Sequence, residues 1–140
     1  MDDPVVLFVD DEVDFRKTVM KRMDKRGVTV SGVSSGEEAL AWLKKNDADV
    51  IVLDVKMPGM DGIQTLREIK KFKPLVEVIM LTGHASLEAA TEGMALGAFD
   101  YLMKPADIDE LLYKVQDAFV MKRIQEEKIK NMEEVANDSN

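Results

Sequence analysis

The run Val50-Ile51-Val52-Leu53-Asp54-Val55-Lys56-Met57-Pro58-Gly59-Met60-Asp61-Gly62 decides how the rest of the chain is read. Four β-prone apolar residues lead straight into a carboxylate, and Pro-Gly and Asp-Gly turn signals follow. A continuous apolar run this short reads as a strand buried on both faces, the usual state of a parallel sheet covered by helices. Pro58 and the glycines stop the strand and leave Asp54 at its C-terminal tip. In open α/β sheets that edge is where ligands and chemistry collect. An aspartate there could equally accept bonds from a neighbouring turn. The other strand ends favour the functional reading.

Upstream, Val5-Val6-Leu7-Phe8-Val9 is a second short apolar run that ends in acid, Asp10-Asp11-Glu12. A helix is expected over about 12–26, with Val13, Val19, Met20 and Met23 as its apolar stripe and Gly27 as its stop. The more polar strand over 28–33 suits a sheet edge. Ser34 or Ser35 then caps a helix reaching about Asn46. Downstream, Asp61 is a plausible N-cap for a helix beginning at Gly62 that turns Ile63, Leu66 and Ile69 inward, and Pro74 closes that unit. A strand over 76–81 ends in Thr82-Gly83-His84; Ser86 caps a helix of small residues that Gly97 terminates. A strand over 99–103 ends in Lys104-Pro105. The last helix starts near Asp107 and runs past Lys130 before a frayed tail over 137–140.

Five strand–helix units in strict alternation imply an α/β fold with parallel strands, right-handed crossovers and helices on both faces. The best fit is the flavodoxin-like (βα)5 sheet in the order 2-1-3-4-5. That order makes strands 1, 3, 4 and 5 contiguous, so Asp10, Asp11, Asp54, Thr82 and Lys104 gather at one rim. Residues 1–120 form the domain, and 121–140 a helical extension, mostly Lys, Arg, Gln and Glu over 122–134 and too polar to dimerise strongly alone.

Composition excludes several classes. With 46% apolar and 33% charged residues, the chain is ordinary globular protein rather than disordered. A net charge of −8 without a long basic run argues against nucleic-acid or anionic-membrane binding by this chain. The absence of cysteine removes disulfides and thiolate metal sites and fits a reducing compartment. No apolar run approaches the ~18 residues of a membrane span, and the acidic N-terminus is unlike a signal peptide. A soluble, cytoplasmic protein is expected.

Carboxylates converging at one rim repel one another, and such a cluster usually holds a cation. Oxygen-only ligands select a hard ion, and Mg²⁺ with retained waters is the natural choice. Acids also suit a solvated helix N-terminus, the plain reading of Asp10-Asp11-Glu12 by itself. Lys104 adds a positive point charge and Thr82 a hydroxyl donor. Together with the cation they would neutralise a phosphoryl group on Asp54, since a carboxylate can itself be the nucleophile.

At this point the chain resembles the receiver domains of bacterial two-component response regulators over about residues 4–120. The family's acidic pair matches Asp10 and Asp11, its phosphoacceptor Asp54, its switch hydroxyl Thr82 and its lysine Lys104. Its aromatic switch position matches Tyr101, and its Met-Pro-Gly-Met-Asp-Gly loop and Lys-Pro pair are also present. The wording over 81–85 and 97–101 is most similar to receivers of sigma-54-type transcription activators. The resemblance implies phosphoryl transfer to Asp54 from a sensor histidine kinase or a histidine phosphotransfer protein. It implies Mg²⁺ held by Asp11, Asp54 and the backbone carbonyl of Lys56, and by Asp10 through water. It implies a cis bond before Pro105, and a switch in which Thr82 and Tyr101 reorient and alter the surface of the fourth helix, fifth strand and fifth helix. Lys56 and His84 would flank the attacked phosphorus and slow phosphate release. The chain would not be an enzyme in the ordinary sense but a phosphoacceptor that assists its own modification, with a phosphorylation-linked homodimer as one outcome. The residues after 120 are too few for an output domain, so the chain is either a stand-alone regulator or a receiver cut from a longer protein.

Three rivals fit less well. A haloacid-dehalogenase-type phosphohydrolase would carry a general-acid Asp where Lys56 stands. A flavodoxin-like cofactor binder would have a Ser/Thr/Gly-rich first loop, and Asp-Asp-Glu would repel a phosphate. A pseudo-receiver would lack the intact site. His84 by itself reads as an exposed loop histidine, and Met57, Met60, Met80 and Met103 read as packing.

Overall fold

The computed structural model describes residues 3–83 and 87–138. Its strands are β1 (Val5–Val9), β2 (Thr29–Val33), β3 (Val50–Asp54), β4 (Glu77–Thr82) and β5 (Asp100–Met103). Its helices are α1 (Val13–Lys25), α2 (Gly36–Lys45), α3 (Gly62–Phe72), α4 (Leu87–Ala95) and α5 (Ile108–Asp138). All pairings are parallel and the sheet order is β2-β1-β3-β4-β5, the flavodoxin-like order read from the sequence.

Every residue of β3 is buried, as its apolar run requires. Successive side chains enter opposite cores, because strand side chains alternate faces. Leu7, Val9, Ile51, Leu53, Val78 and Met80 pack with Ala39 and Leu43 of α2 and Leu66 and Ile69 of α3. Val6, Phe8, Val50, Val52, Ile79 and Leu81 pack with Met23 of α1 and Leu111, Val115, Ala118 and Phe119 of α5. The polar β2 takes the edge, its pattern mostly half-buried and exposed.

Local signals set the helix ends. Ser35 is the N-cap of α2, accepting from the Glu38 N–H at 3.1 Å. Asp61 caps α3 in a reciprocal box with Gln64, at 2.9 and 3.3 Å. Gly97, at φ +101°, ends the α4 unit as the glycine stop required. At Gly62 a Cβ would lie 2.4 Å from the Asp54 carbonyl oxygen, so only glycine lets α3 begin directly beneath the tip of β3.

The structure departs from expectation in α1. Val13 is 46% exposed rather than on the inner stripe, and Phe15 turns inward, edge-on to Phe8 with centroids 6.2 Å apart. The inward row is 15, 19, 23, the i, i+4, i+8 spacing of one helical face, with Met23 fully and Phe15 and Val19 partly buried. Ile63 faces inward as expected, half-buried and packed against the core. Helix α5 includes Asn137 and Asp138, assigned above to a frayed tail. The expected Ser86 cap lies outside the described residues. Past Val120, α5 is tied to the sheet floor: Lys122 Nζ is 3.0 Å from Asp49 Oδ1, and Asp49 Oδ2 accepts the Val5 N–H at 2.8 Å. Beyond that point Ile124, Ile129, Met132 and Val135 are exposed.

The Asp61 box supports an expected outcome: Asp61→Ala lowers the unfolding free energy by about 1 kcal/mol. A fall in the urea midpoint at unchanged slope checks it.

Candidate functional site

Register builds the site. Asp54 pairs with Leu81 and Thr82 with Met103, while Asp10 follows directly on β1 and Lys104 on β5. The four strand ends therefore finish at one level. Neighbouring backbone bonds lock them there: the Asp10 N–H donates to Val33 O at 3.1 Å, Val55 N–H to Leu81 O at 3.2 Å and Lys104 N–H to Thr82 O at 2.6 Å. The Lys104–Pro105 peptide is cis, as the resemblance implied.

Asp10 is fully buried and Asp54 is 3% exposed. Asp10 Oδ1 accepts the Glu12 N–H at 2.9 Å, and Asp54 Oδ1 the Lys56 N–H at 3.2 Å. Lys104 Nζ lies between them, 2.8 Å from Asp10 Oδ2 and 3.5 Å from Asp54 Oδ2. The Asp10 Oδ2 contact is an ion pair by distance but lacks hydrogen-bond alignment, so that buried oxygen keeps an unused acceptor. The ammonium also bonds Glu12 Oε1 at 3.1 Å and lies 4.6 Å from the centre of the Phe15 ring.

Among the described residues Lys104 is the cation that pairs with these carboxylates, and it does not balance them. Burial, and then the neighbouring Asp10 charge, push the Asp54 carboxyl up from its ordinary 3.8 to about 6; Lys104 and the Lys56 N–H pull the other way, and Asp11 adds repulsion. For Lys104, burial works against its charge, but the close contacts with Asp10 and Glu12 and the field of Asp10 and Asp54 prevail, and its pKa is raised. Carboxylate oxygens of Asp10, Glu12 and Asp54 all lie within 4.8 Å of one another. An all-oxygen donor set with a buried unused acceptor fits a hard metal ion.

Of the residues singled out from sequence, Asp10, Asp54 and Lys104 meet directly, and Thr82 is buried at the adjoining strand end. Asp11 is half-buried and stands outside the three-carboxylate group, though its charge reaches Asp54. Lys56 is exposed beside Asp54. Tyr101 lies on β5 opposite Met80 and is 39% exposed. His84 lies outside the described residues. The sequence reading did not foresee Glu12 and Phe15 as partners of Lys104, or the bond from the Arg16 guanidinium to the Asp10 carbonyl. A stripe counted strictly at i+4 from residue 15 would have turned Phe15 inward.

Comparison with known proteins agrees. The family model described as response regulator receiver domain matches residues 6–116. The chain belongs to that family. This receiver is 40% identical over 114 residues to the DNA-binding transcriptional regulator NtrC of Salmonella typhimurium, covering 81% of the chain and 24% of that protein. It is 35% identical over 121 residues to the C4-dicarboxylate transport transcriptional regulatory protein DctD of Rhizobium meliloti, covering 86% and 26%. The receiver domain of the Francisella response regulator 1452 superposes with a TM-score of 0.78 at 35% identity, covering 84% of this chain and 97% of that one. The receiver spans about a quarter of the length of the curated relatives it matches. Among the described residues no helix is long and apolar enough to cross a membrane.

The raised Asp54 pKa sets a pH dependence. The folded protein binds this proton more tightly than the unfolded chain, so protonated Asp54 favours folding at low pH, and that contribution is lost as pH rises through about 6. Without divalent cations, Asp54→Asn should stabilise the protein by about 2 kcal/mol more at pH 8 than at pH 4. Denaturant titrations in EDTA check this; an equal effect at both pH values contradicts it.

Proposed function

We propose that Asp54 is the phosphoacceptor of this two-component receiver, and that the rim around it performs the transfer. The supporting observation is the meeting of buried Asp54 and Asp10 across Lys104, with more negative charge present than the one ammonium offsets. With its carboxyl near 6, Asp54 is ionised at neutral pH and nucleophilic. An Asp54 oxygen attacks the phosphorus of a phosphohistidine, the P–N bond breaks, and the histidine nitrogen leaves with the electron pair and takes a proton. The donor is a sensor histidine kinase or a histidine phosphotransfer protein.

The cation would be Mg²⁺, and Asp10, Asp11, Asp54 and the Lys56 backbone carbonyl would hold it. When bound, it supplies the positive charge that screens both the acids and the incoming phosphoryl oxygens. Lys104 contributes its ammonium to the same oxygens, and the Thr82 hydroxyl donates to them from the end of β4. Because the Lys104 N–H bonds the Thr82 carbonyl, movement at either strand end is felt at the other. Tyr101, three residues before Lys104 on the short β5, is placed to follow. The surface of α4, β5 and α5 then changes and engages a partner or a second copy. Exposed Ile124, Met132 and Val135 on α5 support a weak secondary contact in such a dimer. The receiver occupies residues 1–120 and the extension 121–140, and the protein acts in the cytoplasm as a switch rather than as an enzyme on external substrates.

Incubation with acetyl phosphate and Mg²⁺ should add one phosphoryl group to the wild type and none to Asp54→Asn, with no labelling in EDTA. Full labelling of the Asn variant would overturn the assignment. Lys56 and His84 would restrict water at the phosphorus, so Lys56→Ala with His84→Ala should release phosphate faster. A phosphate-release time course in which the double variant matches wild type would remove both from the account.

A further inference from the structure

We propose that Glu12 is a positioning residue whose carboxylate holds the Lys104 ammonium in the resting receiver and releases it when Asp54 acquires a phosphoryl group. This rests on the phosphoacceptor reading above and extends it to a residue that reading does not use.

Glu12 occupies the N-cap position of α1, where a side chain ordinarily accepts from the amides of the first turn. Its side chain makes no such bond. The carboxylate reaches instead to Lys104, ninety-two residues away in sequence, at 3.1 Å. The acceptors differ in their freedom: Asp10 is wholly buried and fixed by the Glu12 N–H, whereas the Glu12 side chain is 62% exposed. An exposed carboxylate can return to water at little cost, and a buried one cannot. The Phe15 ring beneath the ammonium limits its alternative positions to the side facing the acids.

Lys104 is closest to Asp10, next to Glu12, and 3.5 Å from Asp54, beyond good hydrogen-bond length. A phosphoryl group on Asp54 adds anionic oxygens that draw the ammonium toward β3, and of its two close acceptors Glu12 is the one able to leave. The contact makes the resting state more favourable and raises the phosphodonor level needed to switch.

Beryllofluoride titration at saturating Mg²⁺, followed by fluorescence of the single tryptophan or by NMR, tests this. Glu12→Gln should lower the half-saturating concentration roughly three-fold, the scale of one exposed ion pair. Removing a nearby negative charge could produce the same sign without any holding contact, so the comparison is repeated in a Lys104→Ala background. There the Glu12→Gln effect should vanish. Should Lys104→Ala take up no beryllofluoride, the same ratio is read from steady-state labelling by acetyl phosphate. An unchanged midpoint in Glu12→Gln, or a three-fold effect that persists without Lys104, overturns the proposal. A wild-type protein that takes up neither beryllofluoride nor phosphate fails earlier, at the phosphoacceptor reading itself.

Discussion

The constraint on which the site depends is an electrostatic imbalance held in place by the sheet. Asp10 and Asp54 are buried within reach of a single ammonium, with Glu12 and Asp11 adding charge nearby. Such an arrangement costs stability, since burial penalises each charge and the acids repel. It persists because the strands that carry them cannot move apart. Asp54 is the last residue of a strand whose five residues are all buried, and Asp10 follows one buried from its second residue onward. The hydrophobic layers on both faces thus hold a polar cluster in a state that a cation can relieve. That is the physical sense in which the receiver is poised.

The same geometry gives the proposed response a route outward. Lys104 and Thr82 share a backbone hydrogen bond between β5 and β4, and β5, only four residues long, is the outer strand. An edge strand has one neighbour to restrain it, so a change at Lys104 meets less resistance there than at β1 or β3. Lys114 of α5 bonds Asp100 at the start of β5, which couples the last helix to that strand. The opposite end of the sheet is anchored differently. Asp49 joins the first residue of β1 to Lys122 of α5, which fixes the root of the projecting helix.

Much of this was legible in the sequence, and the reasons differ by element. Sheet order and the rim followed from strict alternation of short apolar runs with amphipathic stretches, because only a few topologies accept that pattern. The caps at Ser35 and Asp61 were legible because their chemistry is local. What escaped were contacts made across the fold by flexible or ambiguous side chains. Glu12 read as a solvated helix start, and nothing local says that its carboxylate turns to Lys104. Val13 looked like a core residue until the helix phase, set by Phe15 against Phe8, turned it outward. The tie between Lys122 and Asp49 was hidden because two charged residues 73 positions apart leave no pattern.

The central claim is that Asp54 carries an unrelieved electrostatic load that the cation removes. Its carboxyl can be titrated directly by carbon-detected NMR on the intact protein, first in EDTA and then at saturating Mg²⁺. The account predicts a pKa near 6 without the ion and a fall of at least about two units on its addition, as expected when a divalent charge sits beside a carboxylate. A pKa close to the ordinary 3.8 in both conditions would contradict it.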